Sequence, residues 1–181
     1  MARSLFTLAL CLSSLAASGA TLERLTLEEM TTRSTAIIRG QAVSTSAVQV
    51  GSTIYTRTVF QVLENYKGPQ GAQVEVMEPG GTIGPISQNY SGVPRFRPGV
   101  ELVLFLWTGP SGRTQVIGLS QGVFELARSS ASGEVEVVRR PSGEVMLSSR
   151  TRQQVPDEEL RVPLRKLVSI IRSSAMRQRQ D

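Results

Sequence analysis

Residues 54–63 read IYTRTVFQVL, and their alternation decides the fold class. Ile54, Thr56, Thr58, Phe60 and Val62 fall on one side, Tyr55, Arg57, Val59, Gln61 and Leu63 on the other. Period-two spacing of β-branched and aromatic residues specifies a strand, here with the first set facing the core.

Neighbouring segments follow the same period. Upstream, Ala36–Val43 is a β run. Downstream, residues 73–77 (QVEVM) put Val74 and Val76 on one face and Glu75 on the other. Residues 101–107 (ELVLFLW) are almost uniformly apolar, as in a strand buried on both faces. Turn chemistry at Thr108–Arg113 leads into a strand at 114–120, and Gly122 separates that from another at 123–127. A final hairpin is expected from 134–138 through Pro141-Ser142-Gly143 to 144–147. Glu78–Pro85 is rich in turn residues, and 78–99 is the longest stretch without periodicity. Short strands at regular spacing predict a small barrel or sandwich.

Helices are expected at both ends of this unit. Thr26-Leu27-Glu28-Glu29 is a capping box opening a short helix to about Arg33, with Leu25, Leu27 and Met30 turned to the core. Pro163 suits the start of a second helix. There Leu164, Leu167, Val168, Ile171 and Ala175 form one apolar stripe, and the basic tail beyond Met176 is expected to fray.

The first twenty residues read as a secretory signal: Arg3, an apolar run from Leu5 to Ala17, then small residues at Ser18-Gly19-Ala20. The run is too short to span a bilayer comfortably, so no transmembrane segment is expected after cleavage. The expected organisation is a signal peptide over 1–20, a β domain over 21–155, and a C-terminal helix with a basic tail over 156–181. The expected location is secreted or periplasmic. Cys11, the only cysteine, lies in the signal segment, so a mature chain starting near Thr21 has no thiol and relies on its hydrophobic core. The net charge of +5 is a mild excess, enough for weak contact with anionic surfaces.

Composition closes several chemistries. The chain has no histidine, which excludes a Ser-His-Asp triad and imidazole metal ligands. Serine–lysine catalysis needs a desolvated lysine, whereas Lys67 sits in a turn and Lys166 on a helix surface. Glu134 and Glu136 share a strand face at a separation suited to glycoside chemistry, but Val135 and Val137 opposite them make a solvated hairpin the simpler reading. Asp157-Glu158-Glu159 reads as dipole partners of the following helix rather than as a calcium site. Gly80-Gly81 and Gly84 read as turn glycines rather than an anion cradle. No cofactor or metal is expected, and no nucleic acid, because the basic residues are dispersed.

One cluster remains: Arg95-Phe96-Arg97, inside Pro94–Gly99. Its proline and glycine content describes a turn with Phe96 tucked inward, and two arginines beside an aromatic also suit an interface anchor.

Two pieces, RSTAIIRGQAVST and YTRTVFQVLENYKG, resemble the opening strands of the netrin-module and tissue-inhibitor-of-metalloproteinases type of OB-like barrel. A second resemblance is carried by Lys67-Gly68, Gly80-Gly81, Pro94–Gly99, Val103–Leu106 and Gly118–Gly122 in that order. It is to uncharacterised secreted bacterial proteins, some encoded near matrixin-like metalloproteases, and it covers roughly residues 30–127. That likeness implies an OB-like barrel and an accessory role beside a secreted protease. The inhibitors' zinc-ligating N-terminal cysteine has no counterpart here. The expectation is therefore a mainly-β protein, a small OB-like barrel or sandwich with a short N-terminal helix and a C-terminal amphipathic helix. It acts as an exported, non-catalytic binding module with a protein partner, contacted by Arg95, Phe96 and Arg97. The alternatives are an envelope-associated structural protein without a discrete ligand and a carboxylate-dependent hydrolase.

Overall fold

The computed structural model describes residues 20–69 and 71–177. Nearly all of the expected signal segment, with Cys11, and the last four residues of the tail lie outside the described residues. The described residues are mainly β with two α-helices: β1 (Thr21–Arg24), α1 (Leu27–Arg33), β2 (Ala36–Val50), β3 (Thr53–Lys67), β4 (Gln73–Pro79), β5 (Gly81–Ile83), β6 (Ile86–Gln88), β7 (Glu101–Thr108), β8 (Thr114–Val116), β9 (Val123–Arg128), β10 (Val135–Arg139), β11 (Val145–Ser148), β12 (Gln154–Val155), β13 (Leu160–Pro163) and α2 (Leu164–Arg177). No described helix is long and apolar enough to cross a membrane.

The main sheet runs β13-β10-β9-β7-β2-β3-β4, with β8 added beside β7. It is open, so of the two expected architectures the closed barrel does not form among the described residues. The sheet curls until β4 lies against β8. There a side chain replaces the missing backbone ladder: the Val116 amide donates to Glu78 Oε1 at 2.6 Å. A smaller sheet, β1-β11-β12, and the β5-β6 hairpin complete the strands.

The alternation in β7 assigns its residues to two cores. Val103 and Phe105 join Met30, Ile37, Phe124, Leu167 and Ile171 beneath the helices. Leu102, Leu104 and Leu106 join Ile38, Phe60, Val76 and Val116 inside the curl. In β3, Ile54, Thr58 and Phe60 are buried while Gln61 and Leu63 are exposed, as the 54–63 alternation requires. The capping box of α1 forms in full, and the stripe of α2 buries Leu167 and Ile171.

Five expectations are corrected. The strand at 36–43 continues to Val50, because β3 offers it a partner along its whole length. Residues 78–99 contain a hairpin, β5-β6, whose three-residue strands are too short to show a period. The 114–120 strand stops at Val116 and gives way to a 3-10 turn at Leu119–Gly122. The 134–147 hairpin does not form: β9 and β13 occupy both edges of β10, so β11 pairs in parallel with β1. Finally, β13 separates Asp157–Glu159 from the start of α2, so these acids are not its dipole partners.

The motif at 118–122 has a structural use. Gln121 is buried; its Oε1 accepts from the Leu25 amide and its Nε2 donates to the Glu23 carbonyl, both at 2.9 Å. It thereby ties the β1–α1 connection to the main sheet. Gln121→Ala leaves two backbone groups unpartnered, and urea unfolding is expected to show a loss of about 2 kcal/mol.

Candidate functional site

Residues 89–100 carry no regular secondary structure, yet three kinds of contact hold them. At the β4 side, Arg95 donates through Nη1 and Nη2 to the Pro79 carbonyl, each at 3.1 Å. In the middle, Phe96 meets Phe60 edge to face, with centroids 5.0 Å apart, and closes the inner core. At the β2 side, the Gly99 amide donates to the Ala42 carbonyl at 2.7 Å and the Ala42 amide to the Val100 carbonyl at 3.0 Å. Gln41 Nε2 adds a bond to the Gly99 carbonyl at 3.0 Å. The loop thus crosses from β4 to β2 over the inner core.

Its sequence dictates this path. The Val100 amide donates to the Arg97 carbonyl, closing a turn with Pro98 and Gly99 at its centre. Gly99 has φ +87°, the conformation that favours glycine at the third position of a type II turn. Gly80 serves the other end: its φ is +96°, and a Cβ there would lie 2.2 Å from Arg95 Nη2. A side chain at Gly80 would displace the guanidinium from its seat.

The three residues singled out by composition are thus separated by the fold. Phe96 points into the core and Arg95 lies along the β4 end. Arg97 is exposed, and its guanidinium has no hydrogen bond or ion pair among the described residues. Beside it, Val100 and Val43 are each 41% exposed. Val43 is left out of the β2–β3 register by the irregularity between Ala42 and Ser44, which gives it no cross-strand partner.

A second group lies near Arg95. Glu78 is 2% exposed, Oε1 is occupied by Val116, and Oε2 has no partner among the described residues. Burial pushes its carboxyl up to about 7, against the opposing pulls of the Val116 amide and the Arg95 charge. Glu78 also lines a cleft of about 260 Å³ with Trp107 and Gln115. Sequence reading places Glu78 in a turn because Pro79-Gly80-Gly81 follows. The signal that locates it is the continuation of Val74 and Val76 by one further period.

The other candidates are engaged elsewhere. Glu134 pairs with Arg165 at 3.0 Å and Glu136 with Arg161 at 3.1 Å. Lys67 is the last residue of β3 rather than a turn residue, and its Nζ donates to the Thr31 and Thr32 carbonyls at the end of α1. Its burial pulls the ammonium below the usual lysine range. Asp157 Oδ2 accepts from both the amide and the hydroxyl of Ser142, at 2.6 and 2.8 Å.

Comparison of the chain with protein-family models, with curated proteins and with solved structures finds no match.

Proposed function

We propose that the protein is an exported, non-catalytic binding or accessory module that meets a protein partner, such as a secreted protease, through residues 94–100. Arg97 is the contacting charge, and Arg95 and Phe96 are the anchors that hold it out. The observation that carries this reading is the contrast within the loop: it is fixed at Pro79, Phe60 and Ala42, while Arg97 stands in solvent beside two exposed valines. A loop already held in one conformation loses little entropy on binding, and an arginine flanked by apolar surface is a common interface anchor.

The test is affinity capture from the host's exported fraction with purified residues 21–181 and with the Arg97→Glu variant. A protein retained by the parent is expected to be lost by the variant, with the melting temperature of the two nearly equal, because the replaced side chain touches no core residue. Equal retention by both, or none by either, contradicts the reading.

A further inference from the structure

A large cleft lies away from the loop and does not depend on its role. It measures about 810 Å³ and is walled by β1, the start of α1 and the β11–β12 segment. Arg139, the last residue of β10, contributes to its wall although it is only 5% exposed. Nε and Nη1 of this guanidinium are covered and have no hydrogen-bond partner among the described residues. Among the described residues its one acidic neighbour within ion-pair range, Asp157, approaches Nη2 only to 4.0 Å, and the other oxygen of that carboxylate is taken up by Ser142.

Arginine cannot relieve this situation by losing its proton. A second like charge worsens it: Arg24 lines the same cleft and, after burial and against the pull of Asp157, lowers the proton affinity of Arg139 further. Buried charge persists where something compensates it. Of the acids around the cleft, Glu29 is held in the capping box and Glu159 by Arg161 and Arg140. Glu28 and Glu158 are exposed.

We propose that this cleft binds a compact anion, a carboxylate or phosphate group, held by the unpartnered guanidinium of Arg139 with Arg24 as the second cation. Glu28 and Glu158 in the lining disfavour extended polyanions, while Leu25, Leu27 and Val155 give an organic anion apolar surface to rest on. The ligand is therefore a small anion rather than a nucleic acid.

The experiment titrates the purified protein with inorganic phosphate in one arm and benzoate in the other, at constant ionic strength, read by calorimetry and by the rise in melting temperature. Saturable binding is expected in at least one arm, and which arm saturates identifies the anion. Arg139→Gln is expected to abolish it. Because that change also removes the Asp157 contact, Arg24→Ala, at an exposed position, is the second variant. It is expected to keep its fold and weaken binding about tenfold, the scale of one charge-assisted contact. No saturation in either arm, or saturation that Arg24→Ala leaves unchanged, overturns the proposal.

Discussion

Phe96→Ala is expected to lower the unfolding free energy by about 2–3 kcal/mol, the cost of removing a half-buried ring from a packed core together with its aromatic partner contact. Phe96 packs on the cluster of Ile38, Phe60, Val76 and Leu104, and its ring meets Phe60 at 83°. Arg97→Glu, at the next residue along the chain and on the solvent side, is expected to change stability by less than about 0.5 kcal/mol. Urea unfolding of the two variants separates the supporting part of the loop from the presented part. A large loss from both would make the whole segment structural. If the proposed function holds, Phe96→Ala also weakens partner capture, because the anchor that preorganises Arg97 is gone.

Glu78→Gln is expected to remove a pH dependence that the parent shows. Burial raises the carboxyl of Glu78 to about 7 in the folded chain from an ordinary value of 4.5. The folded state therefore holds this proton more tightly than the unfolded state, and stability falls as pH rises from about 4.5 through 7. Over pH 5 to 8 this one group costs roughly 2–3 kcal/mol. Glutamine retains an oxygen for the Val116 amide and carries no charge, so the variant keeps its β4–β8 contact without that loss. Denaturant unfolding at pH 5 and pH 8 measures the difference of differences. An equal pH response in parent and variant would mean that Glu78 is solvated when ionised.

How far the fold is legible depends on how local its causes are. The burial of Ile54, Thr58 and Phe60 follows from spacing alone, since a strand has two faces and one is covered. So does the capping box at Thr26, where every participant lies within four residues. Partner choice is different. Residues 134–147 have the spacing of a hairpin, but β10 has only two edges and distant strands fill both. The β5-β6 hairpin is hidden for another reason: its first strand starts at Gly81 and its position rests on Gln88, whose side chain bonds the Ile54 amide and the Ser52 carbonyl.

The candidate site divides in the same way. Pro98-Gly99 specifies its turn locally, and the structure contains that turn. Nothing local distinguishes Arg95 from Arg97, because each is an arginine beside Phe96. The difference comes from Gly80, which leaves space for one guanidinium and lies fifteen residues away in sequence. Arg139 is masked likewise. It continues a run of charged and apolar residues at the end of a strand, and its burial depends on β13 and on the segment holding Asp157.

The most direct test of the binding reading is a photo-crosslinking residue placed at position 97 and, in a second variant, at exposed Met176 on α2, with both proteins expressed in the exported compartment of the host. The account predicts one discrete protein adduct from position 97 and none of that mass from position 176. No adduct at 97, or the same adduct from both positions, would contradict it and return the 94–100 loop to a purely structural role.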